Sequence, residues 1–197
     1  MTQTLRLPAV NLDPTRQMIA TLERHRDAYP FLDEDLARHR ALSAALVAQA
    51  LQSEYALSQW RTALARRWDC EVAAQRVYHK IQQQLDATYG ADPAYSQLLA
   101  PAQPAAGNTP RALLHEVRRL EAALGLLAPR PLFADTGRTQ LRTVAENLAA
   151  AIAQTDQCEA ERRNRLVEQR LTANMLERVS ERTRRTLTHY MLDTPLL

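Results

Sequence analysis

From Asp33 to Tyr89 the chain runs for 57 residues without a glycine or a proline, and from Arg138 to Asp193 it runs for 56 more. Breakers of regular structure are confined to the stretches outside these two runs. A helix of that length spans about 85 Å at 1.5 Å per residue. A compact globule of this size has a radius of gyration of about 16 Å. An unbroken long helix therefore predicts a rod; a compact bundle requires both long segments to bend midway.

Composition agrees that these segments are helical. Hydrophobic residues make up 46% of the chain, but aromatic residues only 5% and glycines only four of 197. Alanine, leucine, arginine, glutamine and glutamate fill the rest, and these lose little entropy in a helix. No stretch alternates apolar and polar residues with the period of two that a half-buried strand shows. The expected class is all-α, with two long antiparallel helices and two short ones.

Capping residues place the ends. Asp13 before Pro14 reads as an N-cap followed by a proline at N1, opening a helix that runs to about Ala28 before Pro30 stops it. Asp33, Glu34 and Asp35 suit the start of the first long helix, and Gly90 its C′ stop. Thr109–Pro110 repeats the opening signal, for a short helix ending at Gly125. A proline-rich connector, Ala128 to Asp135, leads to the second long segment. Short helix then long helix occurs twice, so 11–90 and 108–193 form a possible pseudo-repeat joined by a proline-rich linker, 91–107, within one all-α domain.

Leu36, Leu46, Leu57, Trp60, Leu64, Tyr78, Ile81 and Leu85 fall near one seam of the first long helix. Leu141, Val144, Leu148, Ile152, Leu166, Leu176, Val179, Leu187 and Tyr190 do so in the second. Both seams turn polar midway, at Arg66–Glu71 and Glu159–Arg165. Antiparallel pairing with these waists opposed would bring Cys70 within a turn or two of Cys158, close enough for mild oxidation to join them. Two helices alone bury narrow stripes, so an elongated bundle completed by a second copy, a homodimer, is expected.

Motifs of chemistry are few. None of the five histidines follows a glutamate by three residues, the spacing of di-iron bundles, and His-Glu-x-x-His is absent; no metal or other cofactor is expected. There is no Gly-x-Ser-x-Gly and no phosphate-cradling glycine loop. His25 and His39 sit among arginines and read as solvent-facing; His79 and His189 adjoin Tyr78 and Tyr190, the pattern of an amphipathic boundary. Cys70 and Cys158 each neighbour carboxylates, which disfavour a reactive thiolate. Two distant cysteines, no leader-like amino terminus and no apolar run of ~20 residues predict a cytoplasmic protein with no membrane span.

The remaining candidates are surfaces. Arg162, Arg163, Arg170, Arg178, Arg182 and Arg185 on the last helix form a possible anion-binding set, for nucleic acid above all. Interleaved glutamates argue for self-neutralised charge instead: Glu159–Arg163, Glu161–Arg165 and Glu181–Arg185 are i,i+4 pairs of favourable orientation. Trp60, Trp68, Cys70 and Cys158 are candidates to line a mid-bundle pocket, the mark of a ligand carrier or enzyme. The segment Tyr89-Gly90-Ala91-Asp92-Pro93-Ala94-Tyr95 resembles a Tyr-Gly-x-Asp-Ser-x-x-Tyr turn of uncharacterised helical bacterial proteins, with Pro93 in place of the serine. That resemblance covers about seven residues and implies a helical fold but no activity. The expected function is a non-enzymatic structural or protein-interaction role, with self-association first, other protein partners next, and nucleic-acid binding as the alternative.

Overall fold

The computed structural model of the protein describes residues 12–90, 92 and 109–192. Four helices account for nearly all of these: α1 (Asp13–His25), α2 (Leu32–Tyr89), α3 (Pro110–Leu126) and α4 (Ala134–Leu192). No strand occurs among the described residues. The two long helices are continuous over 58 and 59 residues, so neither breaks at its polar middle.

The helix ends show which signals acted. Thr109 is the N-cap of α3, its Oγ1 accepting from the Ala112 amide at 3.2 Å. Gly90 stops α2 at φ +57°, the left-handed region that favours glycine, with its amide on the Asp86 carbonyl at 2.9 Å. Asp13 departs from expectation: the cap position falls on Leu12, without a side-chain hydrogen bond, and Asp13 lies in the first turn. A carboxylate there still complements the helix dipole, and it pairs with Arg16 at 3.6 Å. α1 ends at His25, three residues short of Ala28, in turns closed by the His25 carbonyl. The linker 91–107, Asp92 apart, lies outside the described residues.

Gly137, just before the breaker-free run from Arg138, is itself helical. It lies inside α4, which begins at Ala134 once Pro129 and Pro131 are passed, and α3 likewise runs through Gly125 to Leu126. A Cβ at Gly137 would come 3.1 Å from Ile81 Cδ1. The glycine is there for close approach of α4 to α2, at a helix-propensity cost of ~1 kcal/mol relative to alanine.

The chain divides into two compact units, each crossed by both long helices: unit 1 draws on Met1–Leu57 and Glu161–Leu197, unit 2 on Ser58–Ala160. Each contains one short helix, the first part of one long helix and the last part of the other. In unit 2, α3 lays Val117, Leu120 and Leu124 onto Ala74, Ile81 and Leu85 of α2 and Leu141, Ala145, Leu148 and Ile152 of α4, all buried. In unit 1, α1 contributes Leu22 to a smaller cluster with Leu32, Leu36 and Leu187, and Met18 and Ile19 pack at its edge.

Within each unit α2 and α4 run antiparallel, as their cross-helix bonds require. Unit 1 pairs His39 with Thr183 and Gln52 with Arg165; unit 2 pairs Ala63 with Thr155 and Arg66 with Gln154. Burial recurs every seven residues: Leu141, Leu148 and Thr155 in unit 2, Gln169, Leu176 and Thr183 in unit 1, facing Ala74 and Ile81, and His39, Leu46 and Ser53, respectively. A 3.5-residue period is the signature of coiled-coil packing.

This register corrects the cysteine expectation. Thr155 opposite Ala63 puts Cys158 level with about residue 61, and Cys70 level with about residue 149. They are offset by about nine residues, or ~13 Å along the axis, whereas a disulfide needs Cα atoms 4.4–6.8 Å apart. Both thiols are free. For the same reason Arg66–Glu71 does not face the other waist; Arg66 reaches Gln154 instead, at 3.3 Å.

Candidate interaction face of unit 1

The paired helices of unit 1 bury Leu36, Leu46, Leu176 and Leu187, and polar groups among them. Their buried seam carries His39, Ser53, Gln169 and Thr183. His39, expected at the surface, is fully buried: antiparallel packing turns it toward α4, where its Nε2 lies 3.2 Å from Thr183 Oγ1. The Thr183 hydroxyl donates to Asp35 Oδ2 at 3.2 Å, so the imidazole Nε2–H donates to that hydroxyl. His39 Nδ1 has no hydrogen-bond partner among the described residues. Burial lowers the pKa of His39 below its ordinary value, and the nearby Asp35 carboxylate opposes that shift without cancelling it. The imidazole is therefore held neutral.

An acid, a hydroxyl and an imidazole in sequence invite comparison with a nucleophile relay, but the order is wrong for one. The hydroxyl is held by the carboxylate, and the imidazole's second nitrogen, which a carboxylate would orient in such a relay, faces no acid. Thr183 and His39 are both fully buried, so no substrate reaches the hydroxyl. The cluster fixes register between α2 and α4, the best-attested use of a buried polar group in a coiled coil.

The outer surface of α2 in this unit is apolar. Val47, Leu51 and Tyr55 are exposed at 44%, 64% and 67%. They continue a row of exposed alanines, so that Ala37, Ala41, Ala44, Ala48, Leu51 and Tyr55 follow one another at steps of four and three residues. That spacing is itself a heptad seam, on the side of α2 opposite the one packed on α4. On α4, Val167, Leu171 and Met175 form a shorter exposed row, also pointing away from the seam. In unit 2 the large exposed hydrophobics among the described residues are only Trp68, Leu126 and Leu132, scattered along the chain.

The sequence-derived site residues do not gather. Arg162 is half-buried at a seam position, while Arg163, Arg170, Arg178, Arg182 and Arg185 are exposed. The expected intrahelical ion pairs Glu161–Arg165 and Glu181–Arg185 form, at 3.6 Å and 3.8 Å. Arg178, Arg182 and Arg185 share the outer face of the last turns of α4. Of the pocket candidates, Cys70 packs against the unit 2 core and Trp60 occupies a half-buried seam position. Trp68 is 65% exposed on the outer side of α2, and Cys158 is half-buried beside the seam. At the helix ends, Tyr190 stacks with Phe31 at 4.7 Å, and Tyr89 donates to the Pro129 carbonyl at 2.5 Å.

The described residues hold no group of three or more histidines, cysteines or acids placed to share a metal ion, and no helix long and apolar enough to cross a membrane. No family model, curated protein or solved structure matches the chain.

Proposed function

We propose that this chain is a non-enzymatic helical interaction protein that associates with itself. The observation that supports this reading is the outer face of α2 in unit 1, where a second, exposed apolar row has coiled-coil spacing. Contiguous exposed apolar rows on a water-facing helix mark a contact surface. The burial of His39 and Thr183 argues against catalysis by their hydroxyl–imidazole pair.

Native mass spectrometry at micromolar concentration tests the reading: a species of twice 22.3 kDa is expected. A strictly monomeric particle across the concentration range would reject it.

A second reading, nucleic-acid binding, draws on Arg178, Arg182 and Arg185 at the end of α4. Binding of that kind weakens steeply with salt, by a log–log slope of about −0.9 per phosphate neutralised on duplex DNA. Co-purification of nucleic acid at low salt, lost on triple substitution of these arginines, would favour it over self-association.

A further inference from the structure

Granting that the chain self-associates, we infer that it does so through the outer seam of α2, paired antiparallel with the same seam of a second copy and centred on residue 46. The seam is its own complement in that orientation alone. About residue 46, Ala37 is symmetric with Tyr55, Ala41 with Leu51, and Ala44 with Ala48. An isologous antiparallel pair therefore sets each large residue against an alanine of the other copy, and two alanines against each other at the centre. A parallel pair would instead stack Tyr55 on Tyr55 and Leu51 on Leu51, leaving the alanine half of the stripe facing alanines across a gap. Alanine at the close-contact positions lets the two backbones approach, as small residues at helix interfaces do.

Charge follows the same symmetry. In an antiparallel coiled coil the residues flanking the seam pair with their own kind across the axis. On one flank this aligns Arg40 with Glu54 of the second copy, twice by symmetry, and Val47 with Val47 at the axis. Glu54 is exposed and has no ion-pair partner among the described residues. Arg40 already meets Glu23 of α1 at 2.6 Å while remaining 57% exposed, so it stands between α1 and the free face. On the other flank Arg38 meets Gln52, again without a like-charge clash. Both flanking rows, like the seam, lie wholly on α2 of unit 1; within the chain Arg38 pairs with Glu34, Arg40 with Glu23 and Gln52 accepts from Arg165, while Arg38, Arg40 and Gln52 themselves remain exposed.

The experiment uses the full chain with Cys70→Ser and Cys158→Ser, carrying Ala41→Cys or Leu51→Cys, each purified separately and checked for unchanged helicity. Under mild oxidation neither variant should crosslink to itself, since its two thiols would be ten residues apart along the axis, ~15 Å. An equal mixture of the two should give a mixed disulfide dimer. Self-crosslinking of each variant, with none in the mixture, would show parallel pairing and overturn the inference. A dimer by native mass spectrometry that crosslinks instead through Leu171→Cys would place the contact on α4 and overturn it, leaving self-association standing. A monomer throughout rejects both. In the unmodified background, Ala44→Glu should abolish the dimer at unchanged helicity. Glu54→Arg should weaken it at least tenfold, and Arg40→Glu with Glu54→Arg should restore it; a charge swap without restoration would also count against this register.

Discussion

Units 1 and 2 use the same two helices in the same antiparallel manner, yet they are held together differently. Unit 2 has a seam of Ala74, Ile81, Leu141 and Leu148 with the buried Thr155 hydroxyl hydrogen-bonded at one end, and α3 covers it. Unit 1 interleaves His39, Ser53, Gln169 and Thr183 with Leu46 and Leu176 in its seam, and α1 packs at its end. Each buried polar group must find a partner or cost ~1–3 kcal/mol, whereas each buried leucine contributes ~1.5–3 kcal/mol. The same length of paired helix is thus worth less in unit 1. What unit 1 keeps is polar groups that meet in one register inside and an apolar row outside.

The largest expected effect tests the strong side of that contrast. Leu148→Ala, at a fully buried position packed from three helices, should destabilise by about 2–5 kcal/mol, read as a shift in the urea midpoint; Leu176→Ala in unit 1 should cost less. Equal costs would erase the distinction between the units.

Next comes the buried cluster. Thr183→Val removes the hydroxyl between His39 and Asp35 and should cost about 1–3 kcal/mol, with amide-exchange protection falling around 36–46 and not around 74–85. Acid supplies an independent probe. A histidine whose folded pKa lies below its ordinary 6.5 binds fewer protons folded than unfolded, so its stabilising contribution is present above 6.5 and is lost as pH falls below that toward the lowered value. Unit 1 should therefore lose protection between pH 7.5 and 5 by more than unit 2 does. His39→Leu should flatten that dependence, and persistence of the full effect in this variant would assign it elsewhere.

Smaller again is the cap of α3. Thr109→Ala should cost about 1 kcal/mol, confined to unit 2 by amide exchange. Smallest is the surface pair Arg111–Asp156 at 2.6 Å; Asp156→Asn should change stability by under ~1 kcal/mol, and less at high salt.

Much of this fold was legible because helix punctuation is local. Pro30, Gly90, Pro110 and the acidic run Asp33–Asp35 act on residues one turn away, and the four helices begin and end near them. The misreadings occur where a local signal yields to a neighbour distant in sequence. Gly125 looked like the end of α3 and lies inside it; His39 looked solvent-facing beside Arg38 and Arg40 and is turned onto Thr183. The alanine row from Ala37 to Ala48 gave no signal by itself, because alanine serves equally inside a seam and on a solvated face.

By itself the sequence determined that this chain is helical, where its helices stop, and that each long helix carries a stripe to bury, since these follow from backbone sterics and the period of apolar residues. Only the tertiary structure decided the register. Sliding one helix past the other by a heptad leaves local propensity unchanged; the choice rests on which distant groups then meet. His39 on Thr183, Thr155 on the Ala63 carbonyl and Ile81 against Gly137 are such meetings, and they decide which surface of α2 is left exposed.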